Sequence, residues 1–137
     1  MILSPEEKME MENQLNIFYE AVRSIASPYF KKYGYSCRII RGRTTVSFEK
    51  KINNKYMQIF YTSELKIRFK CFHINYFSQT VVPDNEHPND NWDYNNDSEL
   101  INTIKKSIEI IEGNRIIPIW EEQFTAMINR NNNEVKK

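Results

Sequence analysis

The thiol and imidazole side chains of this sequence, which suit nucleophilic catalysis and metal binding, belong to two cysteines and two histidines. Cys71 and His73 lie two residues apart in a strand-forming run, so their side chains share one face of a strand and could approach each other. A thiol beside an imidazole suits nucleophilic catalysis, but no third group that would orient the imidazole is evident. His73 shares its parity with Leu65, Ile67 and Phe69, which favours a core histidine. We therefore predict no catalytic residue, and the chain is not expected to be an enzyme.

Metal and cofactor chemistry also lack their motifs. The sequence contains no CxxC, HExxH, P-loop, GxGxxG or GxSxG pattern, and it has only 3 glycines. Asp93, Asn95 and Asp97 match the first three ligand positions of a calcium loop. However, Ser98 stands where that loop needs glycine, and Ile104 stands where it needs a bidentate glutamate. We predict neither a metal site nor a cofactor.

Composition indicates one folded domain. The chain has 137 residues, of which 40% are hydrophobic and 13% aromatic, enough for a core without disulfides or metals. The two cysteines are far apart, and neither a leader-like segment nor a membrane-length apolar run occurs. We expect a cytoplasmic protein with no membrane association, a single α+β domain at 1–130 and a frayed polar tail at 131–137.

Helical periodicity predicts one helix at the start of the chain and two at its end. Ser4 and Glu7 form a capping box with Pro5 in the first turn, and Gly34 is a stop signal. Pro28 is expected to kink this first helix or to begin a second short one. The apolar stripes predicted to face the core are Met11, Leu15, Phe18, Val22, Ile25 and Tyr29 in the first helix, Leu100, Ile104, Ile108 and Ile111 in the second, and Ile117, Trp120, Phe124 and Met127 in the third.

Between these helices the apolar period changes from 3.6 to 2. Four strands are predicted, at 35–40, 44–49, 56–62 and 65–77, with short connections that favour an antiparallel meander. A long segment at 83–97, rich in Asp and Asn, has no periodicity and is predicted to be a loop. The expected fold is α+β, with an N-terminal helix, a four-stranded antiparallel meander and two C-terminal helices packed on one sheet face.

The charges are unevenly distributed although the net charge is only +1. Residues 31–70 carry eleven Lys or Arg against two Glu, which is +9. Residues 71–104 carry six Asp or Glu and no Lys or Arg, which is −6. A basic region of the sheet is therefore followed by an acidic loop.

Strand parity predicts where the basic side chains lie. Lys66, Arg68 and Lys70 share one face of the predicted fourth strand, and Arg38 and Lys51 could extend the same basic surface. The aromatic and aliphatic residues that continue this face are Phe72, Ile74 and Tyr76. Such a surface could be a solvated sheet face, a docking site for an acidic protein, or a site for RNA or single-stranded DNA.

The acidic loop contains two aromatic residues of the kind that anchor protein interfaces, Trp92 and Tyr94. The alternative for Trp92 is that it folds back onto the sheet or the last helices. The residues predicted to bind a partner are Lys66, Arg68, Lys70, Asp90, Trp92, Asp93 and Tyr94.

Two short segments carry a family resemblance. Residues 29–35 read Tyr-Phe-Lys-Lys-Tyr-Gly-Tyr, and residues 116–120 read Ile-Ile-Pro-Ile-Trp. With the order of the elements, they resemble a family of short bacterial α+β domains of unknown function, some of which occur beside toxins. The resemblance implies no catalytic residues. Together with the opposed charge segments and the aromatic residues of the acidic loop, it favours a non-catalytic protein-binding domain, with toxin neutralisation by an immunity-type protein as one form. The alternative, a nucleic-acid-binding module, rests on the basic sheet face. The expected partner is another protein, and the oligomeric state is left open.

Overall fold

The first helix begins at the capping box that the sequence predicts. The computed structural model describes residues 2–64, 70–78 and 90–135, and helix α1 spans Pro5–Lys32. The Ser4 hydroxyl accepts a hydrogen bond from the Glu7 N–H at 3.1 Å, and the Glu7 carboxylate accepts one from the Ser4 N–H at 3.1 Å. Two N–H groups that the helix itself cannot pair are thereby satisfied.

Helix α1 runs through Pro28 without interruption and ends at Lys32, with Tyr33 as its C-cap and Gly34 immediately after. Gly34 has a φ of +89°, which is the left-handed region that favours glycine. The Tyr35 N–H then bonds back to the Phe30 carbonyl at 3.1 Å, which is the hydrogen bond of a Schellman cap. The predicted stop is confirmed, and the chain turns directly into the sheet.

The sheet is an antiparallel meander, as predicted, but it has five strands rather than four. The two-residue turn at Asn53 and Asn54 has positive φ at both positions, as a tight hairpin requires. The strands lie in the order of the chain and are β1 (Ser36–Ile40), β2 (Thr45–Ile52), β3 (Lys55–Ser63), β4 (Cys71–Ser78) and β5 (Asp90–Asp93).

The fifth strand lies inside the segment 83–97 that the sequence predicts to be a loop. β5 pairs with β4, placing Trp92 opposite Phe72, and their rings stack at 6.4 Å with an interplanar angle of 15°. Asp and Asn are poor strand formers, so local propensity gives no sign of β5. The conformation of β5 is determined by its pairing with β4 and by the packing of the Trp92 side chain on Phe72.

The three α-helices pack against the same face of the sheet, and a short 3-10 helix, Arg41–Arg43, connects β1 to β2. The other two α-helices are α2 (Asp97–Gly113) and α3 (Ile116–Val135), and α3 extends into the segment 131–137 predicted to be a frayed tail. One contact per helix identifies the face. The pairs are Phe30 of α1 stacked on Phe48 at 4.4 Å, Ser107 of α2 hydrogen-bonded to Tyr61 at 2.9 Å, and Glu121 of α3 ion-paired with Lys50.

The predicted apolar stripes account for much of the core. Most of their members are buried or half-buried, but Met127 is 36% exposed and Ile128 takes its place in the core. The buried sheet residues that meet these helices include Val46, Phe48, Met57, Ile59, Tyr61, Phe72 and Ile74.

The parity predicted for the fourth strand is wrong for its described part. Phe72 and Ile74 are fully buried against the helices, whereas Cys71 and His73 are half-buried on the opposite side. The prediction took its parity from residues 65–69, which lie outside the described residues. Within β4 itself, Phe72 and Ile74 have much more apolar surface to bury than a thiol and an imidazole, and this decides which side faces the core.

Candidate functional site

The face of the sheet opposite the helices, called here the open face, is defined by the strand register. Side chains directly opposite on neighbouring strands share a face, and every second residue along a strand joins them. The described residues of the open face are Ser36, Arg38 and Ile40 of β1, Thr45, Ser47, Glu49 and Lys51 of β2, Tyr56, Gln58, Phe60 and Thr62 of β3, Cys71 and His73 of β4, and Asn91 and Asp93 of β5.

A hydrogen-bonded cluster of three side chains occupies the end of the open face nearest the β2–β3 turn. The Arg38 guanidinium donates to both carboxylate oxygens of Glu49, from Nε at 3.0 Å and from Nη2 at 3.1 Å. Gln58 Nε2 donates to the same carboxylate at 2.5 Å. This two-point contact is the strong geometry for an arginine–carboxylate pair, and the amide adds a third donor. The cluster therefore holds its side chains in fixed positions on the sheet.

The two charges of this cluster differ in exposure. The Glu49 side chain is 14% exposed, whereas the Arg38 side chain is 60% exposed. Three N–H groups thus satisfy a mostly buried carboxylate, and the guanidinium keeps further N–H groups directed to the surface. Arg38, predicted to extend a basic surface, is instead paired with an acid.

A groove of about 330 Å³ lies beside the cluster and is lined by Arg38, Glu49, Tyr56 and Gln58. Tyr56 is 38% exposed, and the Lys51 ammonium lies 5.7 Å from the centre of its ring. Lys51 and Tyr56 are direct cross-strand partners, so this cation–π contact follows from the register. The groove therefore has an aromatic wall and one lining guanidinium, and the Lys51 ammonium lies beside the ring that forms the wall.

Ser47 lies next to this groove at the centre of the open face. The register places it between Arg38 and Phe60. It is fully buried, and its hydroxyl finds no hydrogen-bond partner among the described residues. A buried hydroxyl without a partner costs free energy, so Ser47 is a weak point in the packing of this surface.

The other end of the open face carries the residues considered for catalysis. His73 is a surface residue rather than a core residue, because its Nε2 lies 2.8 Å from the Glu64 carboxylate and its side chain is 23% exposed. The Cys71 thiol donates to the Glu64 carbonyl at 3.6 Å. Each side chain therefore contacts Glu64, His73 through the carboxylate and Cys71 through the backbone carbonyl.

The described residues contain no group of three or more His, Cys, Asp or Glu side chains placed to hold a metal ion. None of the helices in the described ranges has the length and apolar character needed to cross a membrane.

A second groove, of about 480 Å³, runs along the exposed first half of α1 and is lined by Glu6, Met9, Glu10, Glu12, Asn13 and Asn16. The acidic residues at the start of the chain thus lie on the helix side of the molecule.

The structure separates the residues predicted to bind a partner. Tyr94 is 3% exposed and belongs to the core, so it is removed from the surface. Trp92 is half-buried and folds back onto the sheet, which is the alternative considered for it. Asp93 is exposed on the open face, and Lys70 is half-buried beside β4. Asp90 lies on β5, while Lys66 and Arg68 lie outside the described residues.

Sequence reasoning missed Glu49, Tyr56 and Gln58 as members of a site. A signal was available in the turn at 53–54, because a two-residue hairpin fixes the register of its strands. Counting back from that turn pairs Glu49 with Gln58. The contact from Arg38 required the register of β1 as well.

Comparison with protein-family models, with curated proteins and with solved structures finds no match to this chain.

Proposed function

We propose that this chain is a non-catalytic protein-binding domain and that it binds its partner through the open face. The observation that carries the proposal is the arrangement of the layers. The three α-helices lie on one side of the sheet, and the other side presents an ordered set of polar and aromatic side chains around the groove at Tyr56. Exposed tyrosine and arginine in fixed positions are the residue types that contribute most to protein interfaces.

The charge of the open face favours a protein over a nucleic acid. Its described residues include two basic side chains, Arg38 and Lys51, and two acidic ones, Glu49 and Asp93, so that +2 and −2 sum to zero. Nucleic-acid affinity depends on several cationic groups that replace the counterions of the phosphates. The described part of this face provides little of that driving force, whereas a protein partner needs only complementary pairs.

The form of this function to test first is toxin neutralisation by an immunity-type protein. The support is the family resemblance of residues 29–35 and 116–120. Such a protein inhibits by occupying a surface of the toxin, which requires a binding face and no catalytic group. A stable complex between this chain and the product of the adjacent gene is the expected result. Failure of the two purified proteins to form a complex would contradict the immunity-type role.

The open face itself is tested by paired substitutions in the same titration. Arg38→Ala with Tyr56→Ala removes the exposed donors and the aromatic wall, and we expect roughly tenfold weaker binding or more. The matched control is Lys105→Ala with Ile110→Ala, two exposed positions on α2 on the helix side. Wild-type affinity in the open-face variant, or weakened binding in the control, contradicts the proposal.

Nucleic-acid binding remains the alternative and has its own test. It predicts binding of single-stranded RNA that weakens steeply with salt and is lost in the variant carrying Lys66→Glu and Arg68→Glu. RNA binding that this double substitution leaves unchanged would count against the alternative.

A further inference from the structure

The groove on the open face has the chemistry of a carboxylate-binding site. It is lined by Arg38, Glu49, Tyr56 and Gln58. Its volume of about 330 Å³ lies near the lower end of the roughly 300–1,000 Å³ typical of sites that hold small ligands or single side chains. We propose that it receives the carboxylate of an aspartate or glutamate side chain of the partner protein. This inference rests on the proposed function and specifies the partner's chemistry at the same surface.

The first argument is the balance of donors and acceptors. Both oxygens of Glu49 are already engaged by Arg38 and Gln58, and its side chain is only 14% exposed. Arg38 is 60% exposed, and its two bonds to Glu49 use only part of its five N–H groups. A second carboxylate can therefore reach the outer edge of the guanidinium without displacing the first.

The second argument is charge. Arg38 and Lys51 carry two positive charges around the groove, and Glu49 carries one negative charge, so the local sum is +1. A single carboxylate neutralises this sum, whereas a phosphate dianion leaves one charge uncompensated beside Glu49. The Lys51 ammonium lies over the Tyr56 ring, 5.7 Å from its centre, which keeps that charge at the rim of the groove.

The third argument is the aromatic wall. Tyr56 is 38% exposed and lines the groove. The methylene groups of a glutamate side chain can pack on such a ring while its carboxylate meets Arg38. A partner residue with a short apolar stem and one negative charge therefore fits both components of the groove.

The test uses the whole chain labelled with ¹⁵N and an acetylated, amidated peptide that contains two glutamates flanked by alanines. The matched peptide carries glutamine at both positions, and inorganic phosphate is a third probe. We expect the glutamate peptide to shift the backbone amide signals of Arg38, Tyr56 and Gln58. We expect at least tenfold weaker binding of the glutamine peptide. Equal binding of the two peptides, or phosphate binding as strong as that of the glutamate peptide, overturns the inference.

Two substitutions at the cluster should act in opposite directions. Arg38→Gln removes the donors and should weaken the glutamate peptide roughly tenfold, whereas Glu49→Gln removes the competing negative charge and should strengthen it roughly fivefold. Lys51→Gln removes a rim charge without touching the cluster, and we expect roughly threefold weakening. Lys51→Gln therefore still tests the inference if Arg38→Gln disturbs the fold. The absence of a gain in Glu49→Gln, or of a loss in Lys51→Gln, contradicts the assignment.

The same variants distinguish a failure of this inference from a failure of the proposed function. Suppose that Arg38→Ala with Tyr56→Ala weakens binding of the protein partner but the glutamate peptide does not bind the groove. The open face is then the interface, but it does not bind a carboxylate of the partner. If the partner binds that open-face variant as it binds the wild type, the proposed function fails as well.

Discussion

Two buried tyrosines should respond in opposite ways to the loss of their hydroxyl groups. Tyr94 is 3% exposed, and its hydroxyl has no hydrogen-bond partner among the described residues. Tyr61 is fully buried, with 0% of its surface exposed, and its hydroxyl lies 2.9 Å from that of Ser107. The same substitution, Tyr to Phe, therefore removes an unpaired polar atom at one position and a hydrogen bond at the other.

The magnitudes follow from the cost of burying polar groups. A buried polar group without a partner costs about 1–3 kcal/mol, and a typical hydrogen bond contributes about 1 kcal/mol net. Tyr94→Phe removes the cost of the buried, unpaired hydroxyl but also loses the dispersion contacts of one oxygen. We therefore expect the free energy of unfolding to rise by about 1 kcal/mol. Tyr61→Phe should lower the free energy of unfolding by about 1 kcal/mol.

The effect of Tyr94 should also depend on pH. Burial raises the pKa of Tyr94 to about 12, with further contributions from the neighbouring Cys71 and Asp97. Below about pH 10 the phenol is neutral in both the folded and the unfolded chain, so its titration takes nothing from the free energy of unfolding. Between about pH 10 and 12 the unfolded chain loses this proton first. Stability then falls by about 1.4 kcal/mol per pH unit from this residue, and Tyr94→Phe removes that component.

Urea unfolding followed by circular dichroism measures all of these changes. At neutral pH the midpoint should rise for Tyr94→Phe and fall for Tyr61→Phe, with unchanged m-values. Above pH 10 the gap between Tyr94→Phe and the wild type should widen. A loss of about 1 kcal/mol in both variants, or a gap that does not change with pH, would refute the reasoning about Tyr94.

Three further substitutions, each read from the free energy of unfolding in urea, test the local structure of α1 and its ends. Ser4→Ala removes the capping hydroxyl and should cost about 1 kcal/mol, so an unchanged stability would show that the cap contributes nothing. Pro28→Ala restores a helical hydrogen bond at an exposed position and should stabilise by about 1–2 kcal/mol after the entropy of the unfolded chain is included. A loss there would show that the helix depends on the ring of Pro28. Gly34→Ala should cost about 1 kcal/mol because φ is +89°, although the added Cβ would meet only the end of the Lys50 side chain, at 3.5 Å. A neutral result would mean that the turn adopts another conformation.

The helices could be predicted from the sequence because their signals are local. A capping box, a stripe of period 3.6 and a glycine stop lie within a few residues of one another, and α1 begins and ends where they indicate. The small differences have local causes too. Ile128 replaces Met127 in the core, and the Asn96 side chain caps helix α2.

The fifth strand and the orientation of β4 could not be obtained in the same way. β5 is composed of poor strand formers and is defined by its pairing with β4. The prediction carried the alternation of residues 65–69 into β4, which begins at Cys71, and so assigned the two faces of β4 the wrong way round. The prediction of His73 in the core and of Phe72 on the surface contained that error.

The sequence by itself determined that this chain has the class and order of an α+β domain and lacks the familiar catalytic motifs, since motifs and periodicities are properties of neighbouring residues. The tertiary structure decided which charges meet. Arg38, Glu49 and Gln58 come from three strands, and only the register brings a predicted basic residue onto a carboxylate. Pairing of β3 with β4 also places His73 beside the Glu64 carboxylate and Cys71 beside the Glu64 backbone carbonyl. The pairing of strands over long sequence separations brought basic and acidic residues of the described chain together beside the groove at Tyr56.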